Sequence, residues 1–311
     1  MKKLLLSALA LCMAFFMSCS KNSDSAASSG GNNGGGNGGG TNSELKRLHE
    51  LYQDETNYRL EWNEETQVWD TTDHHIGEPS LTSTWNWNGN NLTSISNGDW
   101  LAVNFYYNDA NLVTKIVSRT TDAQQEYDTT YFYYNSNNQI NRIDRSRWNR
   151  YISAYEFSQW EVSYSGDKPT RISCLHLDGT DMRPYSTLTW TGDNMTKRQV
   201  FSDENSMFSE STYTYDNHIS PQYGFNCMNA YSFVIGGTYM PLEGLHNTYV
   251  PTGFCSKGNE LTREDGEYTY TYRYTYDGDL PIARSSEDIK VWSGVIVKHY
   301  YPNSLQYVYL N

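Results

Sequence analysis

The chain has 311 residues and an acidic composition, with 36 Asp and Glu against 23 Lys and Arg and a formal net charge of −13. Such a surface repels phosphate backbones and anionic headgroups, which argues against nucleic acid and anionic lipid surfaces as partners. The apolar content lies largely in rings, with 27 Tyr, 9 Trp and 10 Phe, and this enrichment favours strands over helices.

Residues 1–18 have the features of an export signal. Two lysines near the start precede an apolar stretch that is too short for an ordinary membrane span. The tetrapeptide Phe16-Met17-Ser18-Cys19 resembles the bacterial lipobox, with Phe16 in place of the usual leucine. The resemblance implies cleavage before Cys19 and lipid attachment to its thiol, which would anchor the chain to a membrane. The alternative is an ordinary secretory signal.

Residues 19–42 are nearly all Ser, Gly and Asn and have no large aliphatic residue. Gly/Ser-rich chains behave as flexible coil, so we expect a tether that projects the following domain away from the membrane. Surface lipoproteins of the Bacteroidetes have a short polar run after the cysteine, and residues 20–24 resemble it weakly. The tether therefore leaves open whether the anchored domain faces the periplasm or the outside.

The remaining residues, 43–311, repeat one pattern: a strand that ends in an aromatic residue, a short Asn/Asp/Gly turn, and two apolar residues three positions apart. In the clearest copy, Trp87 ends the strand, Asn88-Gly89 form the turn, and Leu92 and Ile95 follow. Asn and Gly tolerate the positive φ that tight hairpins require. The strand-ending aromatics recur every 20 to 30 residues, with one gap of 61. They are Trp62, Trp87, Tyr107, Tyr134, Tyr164, Trp190, Tyr215 and Tyr276.

Residue types alternate along the strands that precede the turns. From Tyr268 to Tyr276 every second residue is Tyr, and the residues between them are Thr or Arg. Period two sends the two sets to opposite faces, so we expect aromatic rings toward a dry interior and the polar set in water. The two apolar residues after each turn are an odd step apart and would face opposite ways in a perfect strand. We therefore predict a β-bulge just after many turns.

The pattern extends to both ends of the domain. Residues 45–51 fit either a helix or a strand, and we favour the strand; Tyr307-Val308-Tyr309 would close the series. This predicts an all-β domain, a large antiparallel meander of serial hairpins with about 16 strands, curled or closed into a barrel. The long gap holds an insertion, 218–258, which is rich in Gly and Pro but also apolar. We interpret it as an irregular cap or plug packed on the barrel.

Further motifs occur in a fixed order around the insertion. They are Tyr-Asp/Asn-x-x-Asn-Leu-x-x-Ile in the repeats, Tyr215-Asp216-Asn217, Asn259-Glu260-Leu261-Thr262 and Tyr274-Thr275-Tyr276-Asp277. In this order they resemble the DUF4595 family of Bacteroidetes lipoproteins, over residues 43–311. The resemblance implies a porin-like fold and carries no activity, ligand or catalytic residue. The turns also resemble the YD repeats of Rhs-type proteins, but the Gly-Arg that usually follows is missing.

A porin-like shape raises the question of a membrane pore. A membrane barrel turns an apolar band about 25 Å tall toward lipid. Here the apolar face is largely tyrosine, whose hydroxyls need partners away from water, and the other face carries Thr, Ser, Arg and Glu. A lipid anchor would also be redundant on an integral barrel. We expect a soluble rather than transmembrane barrel.

Three cysteines remain once Cys12 leaves with the signal and Cys19 takes lipid: Cys174, Cys227 and Cys255. In an exported protein, this odd number predicts one disulfide and one free thiol. We pair Cys227 with Cys255 because both lie in the insertion. No cysteine spacing indicates zinc, and we expect no metal and no other cofactor.

Candidate catalytic groups are few. His176 and Asp178 share one face of a predicted strand and would suit an acid/base pair, although a solvated face explains them too. His74-His75 follows Asp70 and Asp73 and offers metal-ligand types, but a polar loop also accounts for it. The chain lacks G-x-S-x-G, the P-loop and H-E-x-x-H. We therefore expect no enzymatic activity.

The aromatic surplus supports a second class of function, because sugar rings stack on Trp and Tyr. The candidates outside the strand pattern, which core packing would also explain, are Trp100, Trp148, Trp160 and Trp292. Asp70-Thr71-Thr72 and Asp128-Thr129-Thr130 resemble O-glycosylation acceptors of the Bacteroidetes, which would require exposed loops.

The sequence thus predicts a membrane-anchored bacterial lipoprotein of the cell envelope, in the outer membrane, with a non-enzymatic structural or binding role. Besides the membrane, the expected partner is a glycan or another envelope protein, and no nucleic acid. The alternatives are a glycan-binding surface lipoprotein and an uncharacterised hydrolase. Glycoside hydrolysis needs a deep pocket in which two carboxylates converge.

Overall fold

The computed structural model describes most of the chain after residue 45. The described ranges are 46–97, 101–120, 127–149, 153–179, 181–203, 206–235, 238–242, 245–251, 255–292 and 295–310. They belong to one compact unit, residues 36–311. The predicted signal, 1–18, and the predicted tether, 19–42, including Cys19, lie outside the described residues.

The described residues form twenty strands and one helix. The strands are β1 (Leu48–Asp54), β2 (Asn57–Asn63), β3 (Val68–His75), β4 (Pro79–Asn88), β5 (Asn91–Asn97), β6 (Leu101–Tyr107), β7 (Val113–Thr120), β8 (Tyr127–Tyr134), β9 (Ile140–Asn149), β10 (Ala154–Ser165), β11 (Lys168–Leu177), β12 (Tyr185–Thr191), β13 (Asn194–Phe201), β14 (Met207–Tyr215), β15 (Thr238–Leu242), β16 (Leu245–Val250), β17 (Glu260–Asp265), β18 (Tyr268–Asp277), β19 (Leu280–Trp292) and β20 (Val295–Tyr309). The helix is α1 (Asn226–Ile235). Of the strand favoured for 45–51, the part 48–51 is confirmed by β1.

Eighteen of the strands form one antiparallel sheet that closes on itself through the pairing of β1 with β20. β1 and β2 follow each other along one position of the ring, because both pair with β20. β3 and β4 together occupy the next position, because β3 pairs with β2 and β4 pairs with β1. The ring therefore has sixteen positions. The predicted all-β barrel is confirmed, and it is closed.

A β-bulge follows the turns, as predicted. In the β4–β5 hairpin Trp87 pairs with Leu92, and the ladder then skips Thr93. The extra residue brings Leu92 and Ile95 onto one face, where both are buried. The same shift next to a strand-ending aromatic occurs in the pairs β6–β7, β8–β9, β10–β11, β12–β13, β14–β17 and β18–β19.

Threonine hydroxyls stabilise several of these bulges. Oγ1 of Thr93 donates to the carbonyl of Asn86 across the hairpin, at 2.9 Å. Thr114, Thr170 and Thr196 make the equivalent bond at 3.3 to 3.4 Å. Each hydroxyl gives a donor to a carbonyl beside the bulge, where the regular ladder is disrupted.

The strand-ending aromatic makes a second recurring hydrogen bond. Its ring O–H or N–H donates to the carbonyl of a residue near the start of the preceding strand of the ring; we call this a ring–carbonyl bond. The hydroxyl of Tyr134, for example, donates to the carbonyl of Val113 at 2.8 Å. The others, at 2.7 to 2.9 Å, run from Trp87 to Leu48, Tyr107 to Leu92, Tyr164 to Ile140, Trp190 to Pro169, Tyr215 to Met195 and Tyr309 to Pro281. These bonds join successive repeats of the sequence.

The insertion packs into the core through α1. The ring of Tyr231 lies 5.5 Å from that of Phe105 and 6.4 Å from that of Trp85, in edge contact with both. Phe225, just before the helix, lies 4.8 Å from Trp87. Fully buried side chains that surround this contact or continue the core along the inner face are Leu92, Val103, Ile116, Met228, Ile143, Trp160, Ile172 and Val200. The predicted plug is therefore part of the hydrophobic core.

The insertion is more regular than expected. We predicted an irregular segment, but it contains α1 and the separate β15–β16 hairpin. The sequence Asn226–Ile235 has no Gly or Pro and is apolar on most sides, which suits a helix enclosed by protein. The described part of the chain has no helix with the length and apolar character that a bilayer span needs.

Aromatic side chains lie on both faces of the barrel. In β18 the predicted alternation holds, since Tyr274 is half-buried while Arg273 and Thr275 are exposed. In β8, however, Tyr131 and Tyr133 are exposed on the outer face, and only their neighbours face the core. The expectation that the aromatic rings point inward is thus wrong for β8, because this strand has rings at both parities.

We expect Tyr134→Phe to lower the free energy of unfolding by about 1–2 kcal/mol, because it removes the ring–carbonyl bond and leaves the Val113 carbonyl without this donor in a buried setting. Urea denaturation of the purified chain measures the change. The matched control is Tyr131→Phe on the same strand, whose ring is exposed. An equal effect of both substitutions would contradict a specific role for the buried hydroxyl.

Alkaline pH should unfold the barrel. Burial raises the pKa of the Tyr134, Tyr164 and Tyr215 phenols above their usual value. The unfolded chain releases these protons near pH 10 while the folded chain keeps them. Stability from these groups is therefore complete below about pH 10 and falls above it, by up to about 1.4 kcal/mol per pH unit for each tyrosine. Urea titrations at increasing pH, with tyrosinate absorbance, test this; ionisation of these tyrosines in a folded barrel would refute it.

Candidate functional site

A cavity of about 320 Å³ lies inside the barrel, between the insertion and the inner faces of β13, β14 and β17 to β20. The insertion contributes Ser232 of α1 and part of the segment 255–259, which leads back into the sheet. Leu51 of β1 and Leu305 of β20 add apolar surface. This volume is at the lower end of the range for small-molecule sites.

Three arginines and one glutamate give the cavity its charge. Arg198 lies on β13, Glu260 and Arg263 lie on β17, and Arg284 lies on β19. Arg263 and Arg284 pair across the ladder with tyrosines of β18, so they share the inner, tyrosine-bearing face.

Each guanidinium group faces a tyrosine ring. The distances from the guanidinium carbon to the ring centroid are 4.2 Å for Arg263 and Tyr270, 4.7 Å for Arg284 and Tyr272, and 5.9 Å for Arg198 and Tyr213. Contacts of this kind attract the cation to the face of the ring. They hold the planar groups in place without neutralising their charge.

The positive charge in the cavity is only partly compensated. Glu260 is the one carboxylate among the described lining residues. Within the described residues, no ion pair within 4.0 Å involves Glu260, Arg263 or Arg284, and Arg198 approaches Asp265 at 3.9 Å. The Nε of Arg263 is buried without a hydrogen-bond partner. The lining therefore has an excess of cationic donors.

The titration of the lining groups follows from their burial. Burial raises the pKa of the Glu260 carboxyl above its usual range, and the nearby arginines oppose this shift. Burial also raises the pKa of the Tyr274 and Tyr307 phenols, which stay neutral and keep their protons at physiological pH. Guanidinium groups donate and cannot accept, so the cavity is suited to bind a group that accepts several hydrogen bonds.

Asp216 fixes the insertion at the edge of this cavity. Its carboxylate accepts the backbone N–H of His218 at 3.1 Å and that of Asn259 at 2.9 Å, together with the hydroxyl of Tyr276. A Cβ on Gly258 would lie 2.6 Å from the Asp216 carbonyl oxygen, so only glycine fits there. Tyr276 is the strand-ending aromatic that follows the long gap of the repeat, and here a carboxylate replaces the usual carbonyl acceptor.

The structure corrects the predicted Cys227–Cys255 disulfide, because Cys174, Cys227 and Cys255 are buried free thiols. Cys227 lies near the start of α1 and close to Tyr107, whereas Cys255 contacts the hydroxyl of Ser232 at 3.1 Å. Burial raises the pKa of these thiols, to about 11 for Cys174 and Cys227 and about 12 for Cys255.

The four tryptophans considered for glycan contact have different positions. Trp160 is buried on the inner face and packs in the core, so its predicted role in glycan contact is wrong. Trp148 lies in edge contact with the exposed Tyr155, at 5.0 Å. Trp292 ends β19, and Trp100 lies outside the described residues.

His176 and Asp178, for which the sequence allows either an acid/base pair or a solvated strand face, are hydrogen-bonded to each other at the surface. Nε2 of His176 lies 2.8 Å from Oδ1 of Asp178, and both side chains are exposed. Asp178 also accepts the backbone N–H of Phe157 at 2.7 Å, so it ties the end of β11 to β10. His74 and His75 are exposed on β3, which is a strand and not the predicted loop. In the described part of the chain, no three His, Cys, Asp or Glu are placed to hold a metal ion.

The two glycosylation-like motifs also lie in strands. Asp70-Thr71-Thr72 is exposed on β3. Asp128-Thr129-Thr130 is part of β8, and Thr130 is buried. The expectation of exposed loops is therefore wrong for both motifs, and for Thr130 the expectation of exposure is wrong as well.

Sequence analysis missed the charged groups of the cavity. Arg284 occupies an inward position opposite Tyr274, but the ladder shifts by one residue between Thr275 and Tyr276. If the residues of β19 are assigned alternately to the two faces from the turn onward, and the bulge is ignored, Arg284 is assigned to the outer face. Sequence analysis could have found Arg284 by allowing for the bulge when the residues of β19 are assigned to faces. Arg284 then falls on the same face as the tyrosines of β18.

No family model matches the chain, and no curated protein matches it. Among solved structures, the chain is similar to a porin-like protein from Bacteroides uniformis, with 12% identity and a TM-score of 0.47 over 85% of this chain and 98% of that one. The TcdB2-TccC3-TEV structure gives a TM-score of 0.20 at 12% identity, over 76% of this chain and 14% of that chain. The barrel is defined by the strand pairing described above, and the DUF4595 resemblance stays a prediction.

Proposed function

We propose that this chain is a membrane-anchored lipoprotein of the cell envelope, in the outer membrane, and that its barrel is a non-enzymatic domain that binds a small molecule. The observation that carries the proposal is the arginine-lined cavity of about 320 Å³ between the insertion and the inner face of the barrel. Buried cationic groups are costly unless they meet a partner, so a structural barrel has no reason to keep them there.

The outer face supports a barrel that is held at a membrane by lipid and is not inserted into it. The outward residues of β18 include Thr269, Thr271, Arg273 and Thr275. Arg273 forms an ion pair across the outer surface with Glu287, at 3.1 Å. A lipid-facing band must be apolar, and charged side chains at its centre are costly.

The content of the cavity favours binding over hydrolysis. Its described lining has one carboxylate, Glu260, whereas the usual glycosidase mechanism needs a pair. The His176–Asp178 pair is exposed and is not part of the cavity. The hydrolase hypothesis therefore has no described pair of catalytic groups to support it.

A glycan-binding surface lipoprotein is the second candidate function. Tyr131, Tyr133, Tyr155 and Phe157 are exposed on the outer face of β8 and β10, and Trp148 lies on β9 between these strands. Exposed rings in a row offer stacking surfaces with polar edges. This patch, and not the cavity, would be the glycan site.

Lipid attachment is tested by metabolic labelling with a fatty acid in a bacterial host. We expect the wild-type chain to take up label and Cys19→Ser to lose it, because the thiol of Cys19 is the predicted acceptor. Cys12→Ser, within the predicted signal, is the matched control and should keep the label. An unlabelled wild-type chain that is cleaved elsewhere would instead indicate an ordinary secretory signal.

The binding function is tested by a thermal-stability screen of the full-length chain in neutral detergent against small polar molecules of each charge class. A ligand of the folded state stabilises it by about 2.7 kcal/mol at roughly a hundredfold excess over Kd. We expect Leu305→Trp, which fills the cavity, to abolish this effect, and Trp148→Ala on the outer face to leave it unchanged. The reverse pattern would favour the outer-face glycan site, and no stabilisation by any class would contradict the binding function.

A further inference from the structure

Resting on the proposed binding function, we infer that the cavity takes a small hydroxylated organic acid, such as a sugar acid, whose carboxylate binds Arg263 and Arg284 and whose hydroxyls reach Glu260. The inference extends the function to a ligand class that follows from the charges, shape and hydrogen-bonding groups of the lining.

The sign of the ligand follows from the charge of the cavity. Arg263 and Arg284 face one carboxylate among the described lining residues, that of Glu260, while Arg198 approaches Asp265 at 3.9 Å, in a chain whose formal net charge is −13. The interior is thus locally positive although the protein as a whole is strongly acidic. Cationic groups concentrated in a low-dielectric interior are stabilised by a bound anion.

The geometry of the donors favours a carboxylate. Arginine presents a planar fork of N–H groups that matches a carboxylate with two parallel bonds. Arg263 has a buried Nε without a hydrogen-bond partner, so one such donor is already desolvated. Arg284 is held by a bond from its Nε to Ser304 Oγ at 3.2 Å, which orients its terminal groups.

The other lining residues favour a hydroxylated organic ligand over an inorganic anion. The Glu260 carboxyl offers acceptor oxygens to the hydroxyls of a ligand, and in its ionised form it has no proton to donate and repels an extra negative group. Leu51, Leu305 and Tyr274 line the same space and provide apolar and aromatic contact. A ring or short chain with one carboxylate and several hydroxyls satisfies all of these groups.

Isothermal titration of the full-length chain in neutral detergent tests the ligand class with three probes: glucuronate, glucose and inorganic phosphate. We expect glucuronate to bind at least tenfold more tightly than glucose, because of these two sugars only the acid offers the arginines an anionic acceptor. We also expect phosphate to bind more weakly than glucuronate. Phosphate that binds as tightly as the acid would overturn the organic-acid assignment.

The variant arm separates binding from a structural role. Arg263→Gln should weaken glucuronate binding by about 10- to 100-fold, because it removes a charge-assisted contact. Arg273→Gln is the matched control: Arg273 lies on the outer face of β18 with 59% of its side chain exposed, and its loss should leave the affinity unchanged. In the ligand-free chain, Arg263→Gln should not lower the thermal midpoint, since it removes a buried charge that is only partly compensated by Glu260. A lowered midpoint with unchanged glucuronate affinity would assign Arg263 to the fold and overturn the inference.

Failure of the ligand class is distinguishable from failure of the binding function. If glucose binds as tightly as glucuronate and Leu305→Trp blocks both, the cavity is a binding site and the acid assignment is wrong. If none of the three probes binds, the acid assignment is also wrong, and the separate screen against all charge classes decides whether the cavity binds anything.

Discussion

The ring–carbonyl bond is the interaction that recurs most regularly in this barrel, and in seven places of the described chain it joins a strand-ending aromatic to the preceding strand of the ring. A ring at the end of one strand reaches the carbonyl near the start of its neighbour, at the place where a bulge has shifted the ladder. The donors in these bonds are all Tyr or Trp, the two aromatic residues that combine a large apolar body with a polar edge. Packing alone would also admit Phe, of which the chain has 10. The aromatic position of the repeat is therefore a hydrogen-bonding position.

Much of this architecture is predictable because the repeat encodes it locally. The spacing of Leu92 and Ile95 requires a bulge, and the bulge places both residues in the core. The helix in the insertion is less predictable, because its short apolar sequence is stabilised by Phe105 and Trp85, which are distant in the chain. The predicted pairing of the cysteines fails for the same reason, since membership of one sequence segment does not decide that Cys227 lies beside Tyr107 and that Cys255 contacts Ser232.

The two sides of the barrel interior differ in what they bury. The side around Phe105 is apolar and is filled by α1. The side formed by β13, β14 and β17 to β20 carries arginines beside tyrosines and keeps a cavity. Charged side chains resist the dehydration that close packing would require, so this side does not collapse onto the helix. The hydrogen bond from Asn259 to Asp216 and the close approach at Gly258 hold the end of the insertion against this side of the barrel. The cavity therefore has a defined boundary there.

Closure through β1 and β20 has a consequence for biosynthesis. The backbone N–H of Leu310 donates to the carbonyl of Arg47, so the first and last parts of the described fold lie side by side. During synthesis, β1 emerges long before β20 exists, and its free edge is open to pairing with other chains. Completion of the barrel thus waits for the carboxyl-terminal residues, and a nascent or truncated chain without β20 is the form most exposed to aggregation.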